Sequence, residues 1–140
     1  MSAIFNQQLT PVPTPETQPY WEGLRNKELR LCRCQDCQQF YFPPSPVCQH
    51  CTSQNIDWRP VSGKATLYSY VINHRPLPEW QTNGPMSIAL VDLEEGPRLF
   101  TTIVNCEQSP QALKLNMKLQ ANYRDFAGTI MLCFEPTNAQ

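Results

Sequence analysis

The chain has 140 residues, with 11 Lys+Arg against 12 Asp+Glu, a net charge of −1, seven cysteines, fourteen prolines and five glycines. That balance gives no general electrostatic pull toward nucleic acid or an anionic membrane, and no apolar run reaches the roughly 20 residues of a membrane span. The length suits one domain, or a small domain with a stapled appendage, and an odd number of cysteines fits a reducing cytoplasm better than a disulfide framework.

The opening residues Met-Ser-Ala-Ile-Phe-Asn-Gln-Gln have neither a cationic head nor an apolar stretch, so no secretion signal is expected. Residues 1–14 are polar and proline-containing and read as a flexible arm. In 15–28 the placement of Glu16, Tyr20, Trp21 and Leu24 suits a short helix. Its aromatic stripe either packs on its own domain or docks on a partner. Residues 29–59 form a ribbon that Leu29 and Leu31 enter on a strand and that Trp58 closes. The prolines of Phe40-Tyr41-Phe42-Pro43-Pro44-Ser45-Pro46 exclude a central strand there. Residues 60–136 then read as a barrel: strands over 65–73, 86–93 and 99–105, a hairpin turn at Glu94-Glu95-Gly96-Pro97, and a short helix near 112–115 behind Ser109-Pro110. A fourth strand follows, with Met117, Leu119, Ala121 and Tyr123 on one face, and a fifth with Ile130, Leu132 and Phe134 on one face. Three strands, a short helix and two strands is the order of a five-stranded OB-fold barrel. Residues 137–140 are left as a tail. The fold class expected is mainly β: an N-terminal helix, a ribbon whose paired cysteines, Cys34-x2-Cys37 and Cys48-x2-Cys51, make it a rubredoxin-like zinc ribbon, and a C-terminal OB-fold barrel.

The strongest chemical signal is Cys34-Gln-Asp-Cys37 with Cys48-Gln-His-Cys51 ten residues further on. Two such knuckles point four thiolates at one centre, the tetrahedral S4 site that structural zinc prefers. Tetrahedral sulfur also accepts iron, and the sequence does not separate the two. Either way all four positions are filled, so the metal holds the chain together and does no chemistry. Cys32 lies two residues before Cys34, but only Cys34 has the spacing to Cys37 that makes a knuckle. His50 reads as an exposed turn residue, and Cys32, Cys106 and Cys133 as free thiols. No Ser or Cys nucleophile at a motif spacing, no H-E-x-x-H, no G-x-S-x-G and no phosphate-binding glycine loop is present. Glu94 and Glu95 read as solvated charge. The long loop from His74 to Pro85 is the usual ligand edge of such a barrel. There Arg75 suits a phosphate and Trp80 a planar base, or both simply close one end of the barrel.

In order along the chain, a short aromatic helix, Cys34-x2-Cys37, Phe42-Pro43-Pro44, Cys48-x2-Cys51, Trp58, Ser62-Gly63-Lys64-Ala65-Thr66-Leu67-Tyr68-Ser69, Asn73-His74-Arg75-Pro76 and Ala89-Leu90-Val91-Asp92-Leu93-Glu94-Glu95-Gly96 resemble the zinc-ribbon-plus-OB family known as domain of unknown function 35. The resemblance runs from about Pro15 to Pro136. It implies a non-catalytic accessory subunit of an acyl-CoA enzyme in lipid, steroid or aromatic acyl-CoA metabolism, in a hetero-oligomer whose catalytic residues belong to a thiolase-superfamily partner. Thiolytic or retro-aldol cleavage of an acyl-CoA is the implied chemistry for some relatives, and a MaoC-like hydratase is an alternative partner. Lys64, His74, Arg75 and Trp80 are the candidate contacts to coenzyme A. The sequence departs from the family at Gln38 and Asn116, where glycine is usual, and at Gln49, where proline is frequent; none of these removes a metal ligand. A rival reading takes Tyr68 and Tyr70 as stacking platforms for single-stranded nucleic acid, though the chain lacks the basic groove such modules need.

Overall fold

A computed structural model describes residues 11–77, 84–126 and 128–137. The arm before residue 11, Trp80 and the tail beyond 137 lie outside the described residues. In chain order the elements are helix α1 (Gln18–Arg25), strands β1 (Arg30–Cys34), β2 (Phe40–Tyr41), β3 (Ile56–Pro60), β4 (Lys64–Asn73), β5 (Met86–Leu93), β6 (Arg98–Thr101), β7 (Lys118–Phe126) and β8 (Thr129–Pro136). They make a three-stranded sheet in the order β2-β1-β3 and a curled five-stranded sheet in the order β6-β5-β4-β7-β8. Among the described residues no helix is long and apolar enough to cross a membrane.

Helix α1 ends by the chemistry of its own last turn. Lys27 takes a left-handed φ of 56°, the Lys27 N–H donates to the Leu24 carbonyl at 3.0 Å and the Glu28 N–H to the Gly23 carbonyl at 2.8 Å. This is a Schellman closure with lysine where glycine is usual. It turns the chain directly into β1, and Gly23 permits the turn: a Cβ there would lie 2.6 Å from the Glu28 carbonyl oxygen. Leu24, Leu29 and Leu31, each 1% exposed, then join the barrel residues Leu67, Val91, Leu119 and Phe134 in one core. Helix, ribbon strand and barrel therefore share a single apolar interior.

Tyr20 and Trp21 belong to that interior too, which decides between the two fates open to them. Their rings meet edge to face at 5.0 Å and Tyr20 tilts against Phe42 at 5.7 Å. The Trp21 indole N–H donates to Thr17 Oγ1 at 3.2 Å. Burial, with a smaller contribution from Tyr123, pushes the Tyr20 hydroxyl up to about 12.

Two expectations for the barrel need correction. The third strand, expected over 99–105, ends at Thr101, because the chain there changes partner. Ser87 Oγ, on a fully buried side chain, accepts the Ile103 N–H at 2.9 Å. The flanking backbone pairs in parallel with β8 through Val104 N–H to Phe134 O at 2.8 Å and Phe134 N–H to Thr102 O at 3.1 Å. This bridge joins the two ends of the curled sheet, as an OB-fold requires. The helix expected near 112–115 is a single turn. Leu113 N–H donates to Ser109 O at 2.9 Å, but Asn116 N–H donates to Leu67 O at 2.7 Å and Leu67 N–H to Met117 O at 3.0 Å. Leu67, which precedes the β-bulge of β4, thus claims the backbone that a longer helix would have used. Asn116 adopts φ 68°, the conformation that asparagine tolerates in place of glycine.

Glu94 and Glu95 are more than solvated charge. Glu95 Oε2 accepts the Ser62 N–H at 2.9 Å and Glu94 Oε2 the Ser62 hydroxyl at 3.2 Å. The β5–β6 hairpin is thereby tied to the segment that links ribbon and barrel. The next residue, Gly63 (φ 77°), lies where a Cβ would come 3.0 Å from the Ala121 Cβ.

Gly23→Ala drives a methyl group into backbone and is expected to cost about 1–3 kcal/mol. Urea unfolding followed by tryptophan fluorescence checks this; an unchanged midpoint would show that the helix-to-ribbon turn has slack.

Candidate metal centre and barrel surfaces

Each cysteine pair sits on a knuckle built by the same backbone bonds. In the first, Gln38 N–H donates to Cys34 O at 2.8 Å and Cys34 N–H to Gln39 O at 3.0 Å; in the second, Thr52 N–H donates to Cys48 O at 3.0 Å and Cys48 N–H to Ser53 O at 2.8 Å. Closing so tight a loop needs a left-handed residue after the second cysteine, and Gln38 (φ 64°) and Thr52 (φ 63°) supply it. Neither is glycine, so each position carries strain of about 1–2 kcal/mol. The Gln38 departure therefore leaves the first turn as tight as the second.

The result is convergence. The Sγ atoms of Cys34, Cys37, Cys48 and Cys51 all lie within 4.8 Å of one another, with Cys34 to Cys51 at 3.5 Å and Cys37 to Cys48 at 3.6 Å. Four sulfurs each about 2.3 Å from a central ion stand about 3.8 Å apart, so the spacing fits a tetrahedral ion. Amide hydrogens also point at the sulfurs, from Cys37 to Cys34 Sγ at 3.5 Å and from His50 to Cys48 Sγ at 3.3 Å. The Cys37 amide is the largest influence holding the Cys34 thiol well below its ordinary range. Cys51 is displaced the other way: the Ser53 amide lowers it, but the Cys34 thiol, burial and the Cys37 and Cys48 thiols together outweigh that. Four thiolates this close repel one another until a cation joins them. The donor set fits a d10 ion such as zinc, which would be held by these four side chains with no open position.

Around the quartet the ribbon has little else to bury. Its interior consists of Cys32, Cys34, Tyr41 and Cys48, with Cys37, Ile56 and Trp58 packed against them. Cys32 stands on β1 opposite Tyr41 and Trp58, outside the ligand group, its thiol pushed up by burial. His50 is exposed and its Nε2 approaches the Phe40 carbonyl at 3.4 Å. One brace escaped sequence reasoning: Asp36, inside the first knuckle, accepts the hydroxyl of Ser53 beyond the second, and Gln35 N–H donates to Asn55 O at 2.9 Å. A carboxylate within a C-x-x-C and a serine just after the other were the available signal.

The candidate coenzyme A contacts are not gathered at one place. Lys64 opens β4, exposed, beside Gln120 of β7. It lines a groove of about 560 Å³ together with Asp92, Glu94 and Lys118. His74 and Arg75 follow the other end of β4, both exposed, with the Arg75 N–H held by Asn73 Oδ1 at 3.0 Å. A ten-residue strand puts these two ends roughly 30 Å apart. A second cleft, of about 400 Å³, lies between the ribbon and the β5–β6 hairpin, lined by Gln38, Phe40, Phe42, His50, Glu95 and Arg98. Tyr68 and Tyr70 do not form a pair of open stacking rings. Arg98 lies over the Tyr68 ring at 3.4 Å, and Tyr70 packs against the core.

Comparison with known proteins agrees with this architecture. Residues 21–57 match the family model described as "ChsH2, rubredoxin-like zinc ribbon domain" and residues 58–124 the model described as "ChsH2, C-terminal OB-fold domain". A "DUF35 domain-containing scaffold protein" of Methanocaldococcus jannaschii is 31% identical over 106 residues, 74% of each chain. The "3-oxo-4,17-pregnadiene-20-carboxyl-CoA hydratase alpha subunit" of Mycobacterium tuberculosis is 31% identical over 128 residues, 91% of this chain. This chain spans only 40% of that subunit's length. "Benzoylsuccinyl-CoA thiolase subunit BbsA" of Thauera aromatica is 28% identical over 100 residues, 71% of this chain and 62% of its own. A solved structure titled "Ltp2-ChsH2(DUF35) aldolase" superposes with a TM-score of 0.78 at 27% identity, covering 91% of this chain and 98% of the other. A rubredoxin-like ribbon with four converging thiols, continued into an OB-fold domain and shared with these relatives, places the chain in the DUF35 family.

Proposed function

We propose that the chain is a non-catalytic scaffold subunit of an acyl-CoA-processing complex, paired with a thiolase-superfamily subunit that carries the reacting groups. The observation that supports this most is the four-thiolate centre. Its closed donor set holds structure and leaves no position for substrate, while a sequence relative is named as a thiolase subunit and a chain of similar fold comes from a structure titled as an aldolase. The metal is zinc in this reading, and its contribution is to hold the ribbon shut. A rigid ribbon and barrel can fix a long acyl-CoA arm beside a partner's site and keep water from it. The relative named as a hydratase alpha subunit supports a second reading, in which the partner is a MaoC-like hydratase.

For coenzyme A, the exposed pair His74 and Arg75 is the better placed to meet a phosphate. The guanidinium can make two parallel bonds to it, and Trp80 follows in the same loop of the sequence. Lys64 is too far away to share the same phosphate. In this reading it meets a different part of the ligand along the groove it shares with Lys118.

Four tests bear on these statements. Co-expressed with the thiolase-fold protein encoded nearest to it in the source genome, the chain should co-elute, and acyl-CoA cleavage should disappear when the chain is omitted. A chain that elutes alone beside a fully active partner contradicts the reading; co-elution with a hydratase in place of the thiolase selects the second one. Arg75→Ala should raise the KM for acyl-CoA about tenfold, the size of one charge-assisted bond of about 1.5 kcal/mol, with metal content unchanged; an unchanged KM makes the loop structural. Cys37→Ser should lose both the metal and the folded ribbon, since a structural zinc supplies roughly 10–16 kcal/mol of folding free energy in comparable small domains. Metal analysis and near-ultraviolet circular dichroism check that outcome. Because protons compete for the thiolates, metal retention should fall as pH falls.

A further inference from the structure

Among the described residues the barrel leaves an apolar face uncovered. In β5 the residues Ser87, Ala89, Val91 and Leu93 are buried, so the intervening Ile88 and Leu90 point outward. A sheet face turned to water ordinarily carries polar residues. Here the register continues the apolar character across three strands. Leu90 is paired with Ser69 on β4 and with Phe100 on β6, and Ile88 is paired with Val71. Cross-strand partners share a face, so Val71, Ile88, Leu90 and Phe100 form one continuous strip. Phe100 is 78% exposed, Val71 61% and Ile88 43%.

The strip is bounded by a prearranged aromatic and its charges. Tyr68, 48% exposed, stands at the bulge with the Arg98 guanidinium 3.4 Å from its ring centroid. Asp92 grips Arg98 at two points, 2.6 Å and 3.2 Å. The patch therefore carries one positive and one negative group already joined to each other. It offers no net charge to a polyanion or a lipid headgroup. Covering it with an uncharged protein surface strands no lone ion, the condition that makes burial of charge tolerable. Exposed Tyr, Phe and Arg beside aliphatics, with the charge at the border, is the anatomy of a protein–protein contact.

We propose that this outer face of β4–β5–β6 is the surface on which the catalytic subunit docks, through an apolar, uncharged patch of its own. The inference rests on the scaffold reading above and adds the place of contact. Phe100 is the central anchor, and Arg98 and Tyr68 form its border.

Phe100→Glu tests it in the same co-expression system, with the affinity of the purified chains measured by interferometry. The side chain is exposed, so the variant should keep its metal and its thermal midpoint, while its dissociation constant for the catalytic subunit rises at least about thirtyfold. Val71→Lys, at a second exposed position of the strip, should weaken binding in the same direction and guards against an effect peculiar to one site. If both variants bind as the wild type does, the face is not the interface, although the scaffold reading stands. If the wild-type chain forms a homodimer that Phe100→Glu dissociates, the strip is covered by a second copy and the proposal is overturned. If the wild-type chain does not associate with the catalytic subunit at all, the proposal and the scaffold reading fall together.

Discussion

Four thiols held within 4.8 Å of one another are the constraint on which the rest of this molecule depends. Brought together without a cation they oppose their own ionisation, and with one they become a rigid closed knot. The ribbon needs that knot because its own interior is small, with three cysteines and Tyr41 as its buried members. A core of that size does not hold a fold by itself. What the knot secures is the position of β1, which contributes Cys32 and Cys34 to the ribbon and Leu31 to the barrel core. A single strand thus transmits the geometry of the metal centre to the second half of the chain.

This arrangement packs ribbon and barrel around one core. Leu24, Leu29 and Leu31 enter the same apolar cluster as Leu67, Val91 and Phe134. The Glu94 and Glu95 carboxylates hold the linker at Ser62. A scaffold that positions a ligand or a partner, the role proposed above, has to be stiff across its whole length. The shared core and the four-thiol knot supply that stiffness from two ends, and among the described residues Val71, Ile88 and Phe100 on the outer face of β4–β6 are exposed.

Much of this was legible in the sequence, and the reasons differ by element. The knuckles announce themselves because C-x-x-C spacing is a geometric requirement of the ion, and the alternation of Leu119, Ala121 and Tyr123 reflects a strand with one buried face. The order of strands around the turn at Ser109 carried the OB-fold topology. What escaped was non-local. The third strand stops where Ser87, distant in sequence, takes the Ile103 N–H. The helix near 112–115 shrinks to one turn because Leu67 claims the backbone of Asn116 and Met117. Glu95 reads as surface charge until Ser62 is seen beside it. Of the coenzyme A candidates, Lys64 stands apart from His74 and Arg75, a separation that only the length and register of β4 disclose. The Phe100 face was invisible for a related reason. Leu99-Phe100 is two apolar neighbours in the sequence, and only the sheet register shows that one points into the core and the other pairs with Leu90 on the outer face.

The central claim is that one ion, bound by four sulfurs of this chain, sustains the fold. Native mass spectrometry of the isolated chain, repeated after denaturation in acid, tests it most directly. The account predicts a folded species heavier than the bare polypeptide by a single zinc, and an unfolded species without it. A compact folded species with no bound metal, or with a metal that leaves while the fold persists, would contradict it.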